Sequence, residues 1–391
     1  MPGDSDHIVA DIAARIFADF ADPQTVNSAA DGAWKKRLWQ ALGDAGLPLA
    51  WVPETLGGSG ASMADGFAIL AAAGRSALSV PLAETLAAGW LLSRAGLDAP
   101  AGPMTVAPVR PNESITVDGE GRLNGRAAGV PFAFDCETIA VLADGGKRVA
   151  LVDREDCRVA QGHNLAGDAS NVVTFDRVKP LRLARAPDGF DAWSLPLMGS
   201  AIRSTQIAGA LQTILSLSVA YANERVAFER RIGKFQAVQQ NLARLAGEVA
   251  AALAVSASAA DAVAQAGDFD EAKFLEVASA KIRTAEAAAE GSAIAHQVFG
   301  AIGFTQEHIL HRFTLRMLSW RDDFGNESYW PPNSGSASRA AAPENSGRWW
   351  RRDERRPELR SNAVAGGVSN LARASAGVSG RGNRRRHLRP A

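Results

Sequence analysis

Cysteine is nearly absent: the 391-residue chain has only Cys136 and Cys157. Two thiols cannot build a disulfide framework or a zinc site, and they fit a reducing cytoplasm. Both sit in or beside strand-forming runs, where a small thiol packs as a hydrophobe. No run of about eighteen uncharged apolar residues occurs, so no membrane span is expected. The start, MPGDSDHIVADIAARIF, lacks the basic opening and apolar middle of a signal peptide. Net charge is missing too, with 42 basic and 42 acidic residues, but the balance is uneven along the chain. Residues 331–391 hold 13 arginines, no lysine and 4 acidic residues, which leaves 29 basic against 38 acidic in 1–330. An acidic body of that kind argues against nucleic acid as a partner.

What is present is the composition of a soluble globular protein, 47% hydrophobic and 21% charged. Its length predicts two or three domains. Abundant alanine favours helices. Helical periodicity runs through Ile8–Phe20, 34–47, Ala64–Ala73 and Leu82–Ala95, interrupted by AWVPETLGGSGAS (50–62), whose Pro53, Gly57, Gly58 and Gly60 predict a turn-rich loop. Residues 103–180 change character. They are rich in Val, Ile and Thr and are punctuated by Asp-Gly, Asn-Gly and Gly-Gly turns, which predicts six to eight short antiparallel strands in a small barrel or sandwich. From Arg203 to Trp320 the helical period returns in four long segments, the pattern of a bundle.

Two stretches of that bundle carry chemistry. In RSTQIAGALQTILSLSVAYANERVAFERRIGKFQAVQ (203–239) a helix runs into Arg225, Arg230, Arg231 and Lys234, with Phe228 and Phe235 among the charges and a break at Gly233. Spacing alone fits a solvated basic face or a phosphate site, since guanidinium groups make paired hydrogen bonds to phosphate. In HQVFGAIGFTQEHILHRF (296–313) one helix ends at Gly300 and another starts near Thr305, leaving exposed backbone groups against which a diphosphate can lie; an ordinary helix–turn–helix has the same spacing. His296, His308 and His311 near this turn read as surface or capping residues, not a metal site.

These stretches resemble the acyl-CoA dehydrogenase family. Tyr221, Ala222, Arg225, Phe228, Phe235, Gln236, Ala237 and Gln239 match its Y-A-x-x-R-x-x-F-G … F-Q-A-x-Q pattern, with Glu229 where the family has glycine. Gln297, Gly300, Gly303, Phe304, Thr305 and Glu307 match Q-x-x-G-G-x-G-[FY]-x-x-E, with Ala301 replacing a glycine. Near the N-terminus, Leu42, Gly46, Val52, Pro53, Glu54, Gly57, Gly58 and Gly60 match the helical domain's L-x-x-x-G … V-P-E-x-x-G-G-x-G. The resemblance covers roughly 34–330. It implies an α+β multidomain fold: an N-terminal α-helical domain (1–102), a middle antiparallel β-barrel or sandwich (103–185) and a C-terminal four-helix, FAD-binding bundle (200–330). Residues 331–391 are expected to form a disordered Arg-rich tail, either an extension or an out-of-frame reading of the true C-terminus, with a basic tail for an anionic partner as the rival.

By the same resemblance Arg225, Phe228 and Gln236 contact FAD, while Gln297, Gly300 and Ala301 contact the FAD of a neighbouring subunit, so a homo- or hetero-oligomer is implied. The implied reaction is α,β-dehydrogenation of an acyl-CoA in fatty acid or lipid metabolism, with an electron-transfer flavoprotein or similar acceptor. A carboxylate removes the α-proton and the β-hydrogen leaves as hydride to the flavin. The family takes that carboxylate from an E-G-T loop after the fourth helix. Here the loop reads SWRDDFGNESYW (319–330), with Phe324 in place of the Glu, Asp323 beside it as the candidate base and Glu327 as a further choice. The alternative base position, near Gly199, offers no acid. The middle-domain motifs T-E-P-x-x-G-S-D and W-[IV]-T are replaced by TVAPVRPNES (105–114) and GVPFAFD (129–135). Those losses keep two rivals open: a non-catalytic or weakly catalytic partner subunit of a heteromeric acyl-CoA dehydrogenase, and a flavin monooxygenase on the same fold.

Overall fold

The computed structural model describes residues 5–29, 31–110, 113–265, 267–326 and 329–330. The tail and Glu327 lie outside the described residues. The N-terminal part is built from α1 (Ser5–Ala21), α2 (Pro23–Ser28), α3 (Ala33–Asp44), α4 (Met63–Arg75) and α5 (Leu82–Arg94). α4 starts where a capping box allows it: Ser62 Oγ accepts from the Asp65 amide, and the Asp65 carboxylate accepts from the Ser62 amide. Before it, the 50–62 loop folds back on itself through Ala61 N to Ala50 O (2.8 Å) and Gly60 N to Val52 O (2.8 Å). α5 is buried on all sides from Leu82 to Leu92, with Glu84 enclosed among apolar neighbours.

Eight strands follow: β1 (Met104–Ala107), β2 (Ile115–Val117), β3 (Leu123–Pro131), β4 (Thr138–Ala143), β5 (Arg148–Asp153), β6 (Arg158–Ala160), β7 (Ser170–Val178) and β8 (Arg182–Arg185). They form two open sheets, ordered β1-β4-β5-β8 and β2-β3-β7-β6. The expectation of purely antiparallel pairing needs correcting: β1 runs parallel to β4, because the chain crosses to the second sheet before returning. The sandwich alternative holds over a closed barrel. Side chains alternate along β4, as a strand's period of two requires. Ile139, Val141 and Ala143 join Phe175 and Val173 between the sheets, while Ala140 and Leu142 join Leu86 and Leu92 under the N-terminal helices. The first sheet is therefore a middle layer covered on both faces.

The C-terminal bundle comprises α6 (Ser194–Glu224), α7 (Gln236–Ala264), α8 (Glu271–Phe299) and α9 (Leu310–Asp322). α6 starts before the expected Arg203, because Pro196 fits a first turn and SLPLMGSAI is buried throughout. It also stops at Glu224, before the arginine cluster. The chain there turns into a hairpin, β9 (Val226–Ala227) with β10 (Arg230–Arg231). α7 is long and apolar enough, by length and composition, to pass as a membrane span. Leu245, Val249 and Ala252 of this alanine-rich helix pack in the bundle with residues of α6 and α8. Cys136 is buried and Cys157 half-buried beside the sheets, as packing residues.

A buried ion pair joins the three parts. Arg316 of α9 donates to Asp168 from Nε (2.7 Å) and Nη2 (2.9 Å), and to Ala77 O from Nη1 (2.9 Å), while Ser79 Oγ also donates to Asp168. Burial alone would push the Asp168 carboxyl up, but the Arg316 charge and these hydrogen bonds outweigh it and hold it below the usual carboxylate range.

Two predictions follow from these contacts. Asp168→Asn leaves Arg316 buried and unpaired, so urea unfolding at neutral pH is expected to show a loss of about 3–5 kcal/mol. Because the folded Asp168 takes its proton at lower pH than an unfolded carboxyl (about 3.9), the gap between wild type and variant persists above that pH and closes as pH falls below it. In the β9–β10 turn, Phe228 and Glu229 both hold positive φ, 52° and 64°. Glu229→Gly removes one strained L-residue and is expected to stabilise the protein by about 1 kcal/mol in thermal unfolding.

Candidate functional site

The six residues expected to hold the cofactor lie at one end of the bundle. The Tyr221 ring near the end of α6 stacks on Phe299 at the end of α8, with centroids 4.4 Å apart. Asn241 of α7 donates to Gln297 of α8 (3.3 Å), and Gln239 donates to Gly233 O (2.9 Å). These contacts bring the arginine hairpin, the start of α7 and the Gln297–Gly300 bend together. Arg225, Gln236, Gln297, Gly300 and Ala301 are all exposed. Phe228 is 89% exposed and Phe304, just past the bend, 73% exposed.

The donor chemistry of this corner fits a diphosphate. α7 begins at Gln236 with no side chain capping it, so the first-turn amides of a 29-residue helix stay open. Arg225, Arg230, Arg231 and Lys234 make no ion pair among the described residues, although the Arg230 guanidinium lies 4.0 Å over the Phe235 ring. Gly300 takes φ 64° and ψ −141°, where only glycine sits without strain, and open space surrounds the side it lacks. Two of the three histidines pack at this end. His296 Nε2 pairs with Thr314 Oγ1 (3.0 Å) and its ring stacks on Phe304 (4.4 Å), while the His308 ring lies against Phe299. Burial pushes His296 and His308 below the usual imidazole range.

A separate cavity of about 400 Å³ opens between the β layer and the bundle. Its β wall comes from Pro108, Val109, Arg110, Ala128 and Gly129. Its helical wall comes from Pro196, Ser319 and the 322–326 loop, with Tyr329. The loop is held at both ends. Trp330 is fully buried against Trp193 (5.7 Å) and Phe274 (5.6 Å), and Ser200 Oγ donates to Phe324 O (3.3 Å).

The base candidate Asp323 borders this cavity but is not free. Arg203 of α6 donates from Nε to Asp323 Oδ2 (2.9 Å), from Nη2 to Glu84 Oε1 (2.5 Å) and from Nη1 to Gln206 Oε1 (2.6 Å). Arg203 and Glu84 are almost wholly enclosed, and Asp323 keeps 17% of its side chain exposed. Phe324 turns its ring onto Gly199; any side chain at 199 would collide with it, the nearest ring atom being 2.3 Å from a Cβ placed there. The loop after α9 and the first turns of α6 thus meet in one aromatic-on-glycine contact.

Sequence reasoning missed Arg203 and Glu84. Their signal was available: each is a lone charge inside an otherwise apolar helical run, and the two are opposite in sign.

Comparison with known proteins agrees with this architecture. The N-terminal domain of acyl-CoA dehydrogenase matches residues 4–99 and its C-terminal domain residues 188–325. The chain is similar to acyl-CoA dehydrogenase IpdE2 of Mycobacterium tuberculosis, 29% identical over 325 residues that cover 81% of this chain and 91% of that protein. It is 30% identical over 310 residues to acyl-CoA dehydrogenase FadE27 of the same organism, covering 72% and 82%. Among solved structures, the ChsE4–ChsE5 complex from Mycobacterium tuberculosis superposes with a TM-score of 0.73 at 24% identity, covering 84% of this chain and 95% of that one, which speaks to the fold. With helices, paired sheets and bundle in that order, and both terminal domains matched, the chain belongs to the acyl-CoA dehydrogenase family.

Proposed function

We propose that the chain acts in FAD-dependent α,β-dehydrogenation of an acyl-CoA thioester, at a site completed by a second chain. The observation that carries this reading is the exposed corner that joins Arg225, Phe228 and Gln236 to Gln297, Gly300 and Ala301 at one end of the bundle. In one chain these residues face open space, as a cofactor site shared between two protomers requires. Arg225 and the open amides at the start of α7 hold the diphosphate, and Gln297 and the Gly300 bend serve the cofactor of the neighbouring protomer. Bound FAD supplies the hydride acceptor. The cavity between the β layer and the 322–326 loop takes the acyl thioester, and the ring of Phe324 keeps water from that wall. An electron-transfer flavoprotein or similar carrier then takes up the electrons, and the chain works in the cytoplasm.

One observation favours a second reading, that of a weakly catalytic partner in a heteromer: Phe324 stands in place of the family's Glu, and Gly199 leaves no acid at the alternative position. Purifying the chain alone and together with the product of the adjacent gene separates the two. Flavin absorbance and dye reduction by a panel of acyl-CoAs in the lone chain support full catalysis; flavin and activity only in the pair support the partner role. A protein that stays colourless with FAD added, alone and paired, overturns the cofactor assignment. Arg225→Ala removes a charge-assisted contact worth roughly 1.5–3 kcal/mol, so flavin affinity measured by fluorescence titration is expected to fall by about 10- to 100-fold.

A further inference from the structure

The β side of the cavity presents three side-chain donors that no acceptor among the described residues takes up: the Arg110 guanidinium, the Asn164 amide and the Ser170 hydroxyl. Arg110 is exposed and makes no ion pair among the described residues. Glu113, three residues on, is already engaged. It accepts from Arg126 Nη1 (3.0 Å), from the Ala128 amide (3.1 Å) and from the main-chain amide of Arg110 (3.4 Å). The Arg110 guanidinium lies over Gly129, where a Cβ would come within 2.8 Å of Nη2, so the glycine leaves room for it. Asn164 is fixed through its oxygen. Oδ1 accepts from the amides of Ala166 (2.9 Å) and Asp168 (3.1 Å), which orients the side chain and leaves the N–H groups of Nδ2 unbonded. Its loop is anchored on the bundle: Arg316 holds Asp168, and the Ala166 amide also donates to Ser319 Oγ (3.1 Å). Donors held in place before a ligand arrives lose little freedom on binding it. The carboxylates at the cavity among the described residues, Asp322 and Asp323, belong to the helical wall, and Asp323 is bonded to Arg203. Val109, Leu165, Pro196 and Phe324 make the lining partly apolar, so the occupant joins an anionic group to an apolar body.

We propose, resting on the dehydrogenase reading, that Arg110, Asn164 and Ser170 form a subsite for a carboxylate carried by the acyl group, which makes the substrate the mono-CoA thioester of a dicarboxylic acid. A space of about 400 Å³ is at the small end of ligand pockets and takes an acyl group, not a whole CoA. The phosphates of CoA stand a full pantetheine arm from the thioester, so the anion that meets Arg110 inside the cavity belongs to the acyl group. Arg110 supplies the charge and a fork of N–H groups that matches a carboxylate, and Asn164 and Ser170 add neutral hydrogen bonds. A plain acyl chain offers these donors no acceptor, so selectivity comes from rejecting it as well as from holding the dicarboxylate.

Calorimetric titration of the flavin-loaded assembly tests this with the thioether analogues of adipoyl-CoA and hexanoyl-CoA. The two match in chain length, differ in the terminal carboxylate, and lack the carbonyl that acidifies the α-carbon, so neither turns over. The carboxylated analogue is expected to bind about 10- to 100-fold more tightly. Arg110→Ala removes most of that ratio, Arg110→Lys keeps part of it, and added salt shrinks it because Arg110 is exposed. Asn164→Asp keeps the acceptor for the Ala166 and Asp168 amides but exchanges the free donors for a negative charge, and lowers the ratio as well. A ratio near one in the wild type, or one that survives Arg110→Ala, overturns the proposal. In the second case, equal weakening of both analogues assigns Arg110 to the CoA phosphates, and loss of flavin at an unchanged ratio assigns it to the cofactor. Dye reduction then separates this proposal from the reading beneath it. Selective binding of the carboxylated analogue with no dye reduced by adipoyl-CoA leaves the subsite standing and overturns the dehydrogenase reading. Dye reduction by both thioesters with equal kcat/KM and no binding preference overturns the subsite alone.

Discussion

A buried guanidinium needs hydrogen-bond partners, and Arg203 finds them for three of its five N–H groups on three different segments. Glu84 comes from α5, Gln206 from its own helix and Asp323 from the loop after α9. Removing a cation from water costs several kcal/mol unless each donor is matched, so the placement of those segments is tied to Arg203. The loop that borders the cavity thus cannot move without disturbing α5 beneath it. Trp330 fixes the other end of the same loop by burial instead of charge.

Arg316 follows the same logic from a different helix. It binds Asp168 from the β layer and Ala77 O from the N-terminal part. Two arginines on the bundle, each enclosed and each reaching across chain segments, hold the β layer and the N-terminal helices to it. Apolar contact supplies the bulk of the burial but has little directional preference. The charged contacts add register, because a shift of one residue would strand a donor.

Much of the architecture could be read from the amino acids, for physical reasons. The strands follow from runs rich in Val, Ile and Thr with turn dipeptides between them, and the long helices follow from alanine content and apolar spacing. The residues that meet at one end of the bundle, Arg225, Gln236, Gln297 and Gly300, could be picked out because they sit in local motifs whose spacing survives in one dimension. Three features were not legible. The hairpin at 226–231 replaced a helical continuation because Phe228 and Glu229 take left-handed backbone conformations that neither residue type announces. The parallel pairing of β1 with β4 depends on where the chain re-enters a sheet. The partnership of Glu84, Arg203 and Asp323 joins residues far apart in the chain, and only the fold brings them to one point.

The sheet β1-β4-β5-β8 lies under the N-terminal helices on one side and against the second sheet on the other. Neither face of β4 meets solvent, so no position along it can absorb a polar side chain at low cost. Evolutionary drift is therefore steered away from this layer and into the turns at its ends. Of those turns, residues 108–110 after β1 border the cavity, so the lining of that opening can diversify while the slab beneath it stays unaltered.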